Sequence, residues 1–255
     1  MLAAFQSGAR IGLTEPGYPA YRNIVQALGM TVVPIATEPG QRYQPTTELL
    51  DTVGKLDGLV IASPANPTGT MLDKSLLESL VNWSQDRGVR LISDEVYHGI
   101  TYEADAVSLA KLDRQAIVIN SFSKYFCMPG WRLGWMIVPP ELIRPVELLA
   151  QNLFISPPAL AQHAALEVFG CIKELDDRVA IYAKNRLILL DSLPLAGFDK
   201  LAPPDGAFYI FADVQSLTDD SASFCKQMLH ETGVAVTPGI DFDSKRGKRF
   251  LRFSI

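Results

Sequence analysis

The sequence is short of cysteine and histidine and carries little net charge, and each shortage excludes a class of protein. Three cysteines (Cys127, Cys171, Cys225) are spread over 255 residues, too few and too scattered for a disulfide framework or a thiolate zinc site. Lys and Arg number 23 against 28 Asp and Glu, a formal net charge of −5, so no basic surface points to nucleic acid or an anionic membrane. No apolar run reaches the roughly 18 residues that span a bilayer. The opening Met1-Leu-Ala-Ala-Phe-Gln-Ser7 lacks the charged and apolar regions of a secretory signal. There is no internal repeat and no low-complexity segment. What remains is 48% hydrophobic and 20% charged residues, the composition of a chain that buries a large core. A soluble, cytoplasmic protein without a metal site is expected. Both ends read as abrupt: Met1 opens within an uncapped Ala/Leu segment, and Phe250-Leu-Arg-Phe-Ser-Ile255 alternates like a strand with no exit.

The first two thirds alternates β-branched runs with amphipathic stretches. Strands are expected at 11–14, 31–35, 59–62, 89–93, 116–120 and 133–138, several as continuous apolar runs suited to burial on both faces. Helices are expected at 21–28, 46–53 and 72–86. In the last of these, Asp73 caps a face made by Leu76, Leu77, Leu80, Val81 and Trp83. This alternation predicts an α/β domain, a three-layer sandwich on a mainly parallel mixed sheet. From Glu141 to about Leu193 the pattern turns helical, broken once at Pro157-Pro158. Strands return at 208–214, 234–237 and 250–254 around a helix at 221–232, which predicts a smaller α+β domain. The expected division is 1–175 for the large domain and 176–255 for the small one.

Ligands of such sheets bind beyond the carboxyl ends of the strands, so the residues just after each strand carry the information. Leu59–Ala62 runs into Ser63-Pro-Ala-Asn66-Pro-Thr-Gly69, a stiff turn that holds Asn66 at the sheet edge. Taken alone, Asn66 is an Asx-turn residue. Val89–Ser93 runs into Asp94-Glu95-Val96-Tyr97, and an acid there is costly unless a cation or donors meet it. Taken alone, Asp94 serves equally well as a helix N-cap. Ala116–Asn120 runs into Ser121-Phe-Ser123-Lys124, followed by Gly130-Trp-Arg132-Leu-Gly134. A partly desolvated lysine near a cationic arginine has a pKa below the usual ~10.4, as a Schiff-base lysine requires. Ser121, Ser123 and Arg132 provide hydroxyls and a fork suited to a phosphate, although a lone Lys/Arg pair is more simply a solvated basic loop.

Several strand ends together are harder to explain separately. Pyridoxal 5'-phosphate needs a lysine, a carboxylate for its pyridinium nitrogen, donors to its ring oxygen and an anion site. Lys124, Asp94, Tyr97 with Asn66, and Ser121 with Arg132 match those four needs. The three motifs at 63–69, 93–97 and 121–134, in this order and spacing, resemble those of the fold-type I pyridoxal-phosphate enzymes of the class I/II aminotransferase family, and the likeness covers essentially the whole chain. The resemblance implies that Lys124 forms the aldimine and shuttles the substrate proton, that Asp94 keeps the ring nitrogen protonated, and that Tyr97 and Asn66 hydrogen-bond the phenolic oxygen. It implies that Ser121 and Arg132 hold the phosphate, with Ser123 a weaker contributor, and that Tyr18 in Glu15-Pro-Gly-Tyr18-Pro-Ala-Tyr21 stacks on the pyridine ring. Arg252 matches the arginine that grips the substrate α-carboxylate beside Asn66; by pattern alone it is an outward strand residue.

Pro204–Tyr209 and Thr237–Phe242 also resemble family segments. Cys127 stands where the family has Gly, Ser or Ala and, being small, is expected to have little effect; Asp243 stands where Gly is common, which puts the loop shape there in doubt. Family members carry an N-terminal arm and a phosphate loop upstream of the segment matching Met1, and a final helix after the Arg252 strand. The resemblance implies that the 255 residues lack these parts. It implies a homodimeric transaminase acting on an amino acid and a 2-oxo acid. A carbon–sulfur β-lyase on the same scaffold, and a non-catalytic aminotransferase-like domain, are the alternatives. His98, next to Tyr97, is expected at the surface.

Overall fold

The computed structural model describes residues 1–255. Strand β1 (Arg10–Glu15) leads to helix α1 (Pro19–Ala27), then β2 (Thr31–Ala36), α2 (Thr47–Asp51), β3 (Gly58–Ala62), α3 (Lys74–Arg87) and β4 (Arg90–Asp94). After β5 (Ile117–Ser121) and β6 (Gly134–Ile137) come helices α4 (Pro140–Leu153), α5 (Ala159–Glu167) and the 24-residue α6 (Ile172–Leu195). The chain closes with β7 (Lys200–Leu201), β8 (Tyr209–Asp213), α7 (Ser221–Thr232), β9 (Thr237–Pro238) and β10 (Phe250–Ser254).

The first six strands form one sheet in the order β2-β1-β3-β4-β5-β6, parallel except for β6, which runs antiparallel to β5. Its central strands are continuous apolar runs because both faces are covered. On one face Leu59, Ile61, Leu91 and Val118 pack with Leu77, Leu80 and Trp83 of α3. On the other Ile11, Leu13, Val60, Ile92 and Ile117 pack with Val25 of α1 and Leu142 of α4. The chain is therefore α/β with a mainly parallel mixed sheet between helical layers. Helix α3 begins where the Asp73 side chain accepts from the Leu76 N–H at 2.8 Å, and ends at Gly88, whose φ of 64° suits a residue without Cβ.

The last four strands form an antiparallel sheet in the order β7-β8-β10-β9. It packs through Ile210, Ala212, Leu251 and Phe253 on Leu193 of α6 and Cys225 of α7. The expected boundary at 175/176 falls within the first turn of α6. Polar contacts tie the turn after β1 to the loop before β10. Arg246 donates from Nη2 to the Glu15 carbonyl at 2.7 Å and from Nε to Asp243 at 2.8 Å, and also pairs with Glu38. Ser244 donates to the Glu15 carboxylate at 2.9 Å. Asp243, buried, also accepts from the Lys245 and Arg246 amides and so shapes the loop that family likeness left open.

Three expectations change in detail. The helical stretch has a second interruption, a 3₁₀ turn at Val168–Gly170 after α5. The strand expected at 234–237 is replaced by the two-residue Thr237–Pro238, pairing Thr237 with Arg252 and Pro238 with Leu251 of β10. The two-residue β7 went unread, since so short a strand has no period.

Strand β6 is an edge of the large sheet, and all four of its residues are exposed. Met136 and Ile137 are 48% and 49% exposed, continuing into exposed Ile143, Leu153, Phe154 and Ile155. An apolar, unpaired strand edge is a site of self-association. The 255-residue chain on its own is expected to form concentration-dependent oligomers in sedimentation velocity. Replacing Met136 and Ile137 by Lys should shift it toward monomer, and an unchanged distribution would contradict that reading.

Candidate active site

Three neighbouring parallel strands end on one side of the sheet. Register pairs Ala62 at the end of β3 with Asp94 at the end of β4, and Asp94 with Ile119 two residues before the end of β5. Their following loops and the β9–β10 end of the second sheet enclose a cavity of about 510 Å³. Tyr18, Asn66, Asp94, Tyr97, Ser121, Ser123, Lys124, Arg132 and Arg252, every candidate residue named from the sequence, line it. They come from residues more than 230 positions apart in the chain, Tyr18 to Arg252.

Asp94 accepts from the Val96 N–H at 3.1 Å and from the hydroxyl of Tyr21, on α1. The Val96 contact closes a turn; no helix follows Asp94 for it to cap. Burial raises its pKa above 3.8, opposed by these hydrogen bonds. Lys124 Nζ stands 5.5 Å from the ring centres of both Tyr97 and Phe208. Desolvation first, then the charges of Arg252 and Arg132, lower its pKa from the usual 10.5, with Asp94 acting against them. The expected lowering therefore owes more to burial and to distant Arg252 than to Arg132.

The loop after β5 folds on its own hydroxyls. Ser121 Oγ accepts from the Ser123 N–H at 3.0 Å and lies 2.9 Å from Ser123 Oγ. Gly134 passes so close that a Cβ there would sit 2.7 Å from the Asn120 carbonyl. Arg132, in left-handed backbone at φ 55°, donates to the Pro129 carbonyl at 2.8 Å and keeps its remaining N–H groups for the cavity. Cys127 is also left-handed, φ 55°, so a Cβ is carried where glycine would be unstrained; small size alone does not make the position neutral.

Arg252, on β10, donates from Nη1 to Asn66 Oδ1 at 2.8 Å and from Nη2 to Thr237 Oγ1 at 3.3 Å. Its guanidinium carbon lies 4.3 Å from the Tyr209 ring centre and 4.7 Å from that of Phe242. Its Nε is buried without a partner. Tyr97 shares a hydrogen bond with Tyr209 at 2.7 Å between hydroxyls, and burial holds its pKa well above 10.

The sequence reading missed Tyr21 and Tyr209 as site residues. Tyr21 reads as the apolar face of a short helix and Tyr209 as an alternating strand residue; their partners lie 73 and 112 positions away. His98 is corrected: it is mostly buried beneath the cavity wall, with Nε2 3.0 Å from the Ser63 carbonyl and Nδ1 3.4 Å from Glu95.

The fold and the site together define a class. Residues 1–255 match the model of the family "Aminotransferase class I and II", and the chain belongs to that family. It is 50% identical over 258 residues to the valine–pyruvate aminotransferase of Mycobacterium tuberculosis, covering 99% of this chain and 66% of that protein. It is 33% identical over 254 residues to the (5-formylfuran-3-yl)methyl phosphate transaminase of Methanocaldococcus jannaschii, covering 97% and 64%. Among solved structures, an aminotransferase from Mycobacterium tuberculosis superposes with a TM-score of 0.97 at 49% identity over 100% of this chain and 67% of that one. The aspartate aminotransferase of Thermus thermophilus with maleate gives 0.91 at 30% identity, over 99% and 66%. The chain spans about two thirds of the length of the curated relatives it matches.

Asp94 has a raised folded pKa, so its ionisation opposes folding: its favourable contribution exists below about 3.8 and is lost as pH rises through the raised value. Asp94→Asn removes that penalty; its one amide oxygen can accept from the Val96 N–H while its amide N–H donates to the Tyr21 hydroxyl. The cofactor-free variant should be more stable than wild type at pH 7, a difference that closes on acidification. Denaturant unfolding across that range measures it; a less stable variant at pH 7 would refute the sign.

Proposed function

We propose that the protein is a pyridoxal-phosphate-dependent aminotransferase, moving an amino group between an amino acid and a 2-oxo acid. The observation that carries this reading is the convergence of Lys124, Asp94, Arg132 and Arg252 on one cavity from strand ends far apart in sequence. The residues present fit the cofactor. Asp94, already accepting from Tyr21 and Val96, is an acceptor suited to a protonated ring nitrogen. Ser121, Ser123 and Arg132 form a donor cluster suited to a phosphate. Arg252 is half-buried, its Nε has no partner, and its side-chain hydrogen bonds go to the neutral oxygens of Asn66 and Thr237, which suits an anionic ligand.

When bound, pyridoxal phosphate supplies the electron sink that makes the substrate Cα–H acidic. Lys124 would hold the cofactor's aldehyde carbon until the substrate amine takes its place, and would then be the base at Cα; burial and Arg252 lower its pKa, which favours the free amine. Arg252 grips the α-carboxylate through its fork, steadied by Asn66 and by the rings of Tyr209 and Phe242. Tyr97 offers its hydroxyl, high in pKa and therefore a donor, to the ring oxygen. Tyr18, 43% exposed at the mouth, covers the ring face. The names of the relatives favour amino transfer over carbon–sulfur β-elimination, and that of the Mycobacterium tuberculosis protein supports a neutral aliphatic donor with pyruvate as acceptor. No helix is long and apolar enough to cross a membrane. We read the whole protein as a cytoplasmic homodimer, with residues 1–175 as the cofactor-binding domain and 176–255 as the smaller one.

Adding pyridoxal phosphate to the intact protein should produce a visible absorption band, and valine with pyruvate should yield alanine. Lys124→Ala should lose the band and lower turnover by about 10²–10⁴-fold or more. Transamination that persists in that variant, or release of pyruvate and ammonia from cystathionine in place of amino transfer, would overturn the reading.

A further inference from the structure

Behind the cavity wall, the Glu95 side chain is 3% exposed and the His98 side chain 17%. Neither touches the cavity, and neither has a part in the chemistry above. Glu95 accepts through Oε1 from the Leu109 N–H at 2.8 Å and from Ser93 Oγ at 3.1 Å, so its carboxyl is fixed from two elements. His98 reaches across to the neighbouring strand end, with Nε2 3.0 Å from the Ser63 carbonyl. A carbonyl only accepts, so Nε2 carries the hydrogen. A neutral imidazole then presents the bare lone pair of Nδ1 to Glu95 Oε2, 3.4 Å away. Burial lowers the His98 pKa and favours the neutral ring, with the charge of Glu95 and the Ser63 carbonyl acting against it. Two acceptors facing each other at 3.4 Å repel, so a proton placed between Nδ1 and Oε2 is what makes the contact favourable. The other charged groups near the ring are Asp94 on its own segment and Lys111 on the 3₁₀ turn Leu109–Lys111.

Ser63 is itself held twice more: its Oγ accepts from the Leu72 N–H at 3.0 Å and its N–H donates to the Asp94 carbonyl at 3.3 Å. Three residues on, Asn66 accepts from Arg252. We propose that Glu95 and His98, sharing one proton, are positioning residues that clamp the Ser63–Asn66 loop to the end of β4 and so set the aim of Arg252. The inference rests on the reading of Arg252 as the carboxylate-binding group. It assigns to the pair control over substrate binding and none over the proton transfer at Lys124.

Three variants of the intact protein test it. His98→Ala removes the donor. His98→Gln restores an N–H of similar reach. Glu95→Gln keeps an acceptor for Ser93 and Leu109 and donates an amide hydrogen to Nδ1, supplying the shared proton covalently. His98→Ala should raise KM for the amino acid about tenfold, with kcat within about threefold and the cofactor's Kd unchanged. Hydrogen exchange of the peptide spanning residues 60–72, measured without cofactor, should quicken in His98→Ala and return toward wild type in His98→Gln. Glu95→Gln should resemble wild type in both measurements.

Unchanged exchange and KM in a folded His98→Ala would overturn the proposal. So would a fall in kcat and cofactor affinity alongside KM, which marks general loosening. Glu95→Gln behaving like His98→Ala would overturn the shared proton. Absence of cofactor binding in wild type would instead remove the functional reading, and the exchange measurement would still decide the clamp.

Discussion

The site depends on the hydrogen-bond register of three parallel strands. Because β3, β4 and β5 run side by side in the same direction, their carboxyl ends lie at one edge, and whatever residues follow them become neighbours. A shift of one residue in β4 would turn Asp94 to the opposite face and remove the acid from the cavity. Register, in turn, is pinned by the cores on both faces, where Leu59, Ile61 and Leu91 face α3 and Val60 and Ile92 face α1 and α4. The chemistry thus rests on apolar packing that never touches a substrate.

Arg252 arrives from a different sheet, and its placement needs a second constraint. The Arg246 contacts with Glu15, Glu38 and Asp243 hold the loop before β10 against the turn after β1. The same turn leads into Tyr18 and Tyr21, so one cluster of charges places the strand with Arg252 and the helix that meets Asp94.

Much of this was legible in the sequence. The strands at 11–14, 59–62 and 116–120 announced themselves by apolar runs, and the loops after them carried Asn66, Asp94 and Lys124 at positions where the fold class alone directs attention. The α3 helix was legible down to its Asp73 cap. The unread parts share a cause. Tyr21, Tyr209 and His98 act through partners brought near by tertiary folding, and nothing local distinguishes a tyrosine facing a carboxylate from one filling a core. His98 looked like a surface residue because nothing beside it in sequence is its partner at Nε2; the Ser63 carbonyl it meets is 35 positions away. The bend at Cys127 was equally silent, since its left-handed backbone shows only in coordinates.

The cavity gathers Lys124, Arg132 and Arg252 against a single carboxylate, Asp94, inside a chain whose overall balance is −5. The residues outside the cavity therefore carry the acidic excess, and the cavity carries a local positive one. A small anion therefore meets attraction at the cavity and none from the average charge elsewhere. Because Arg132 is exposed and Lys124 and Arg252 are only half-buried, this division of sign is itself sensitive to ionic strength.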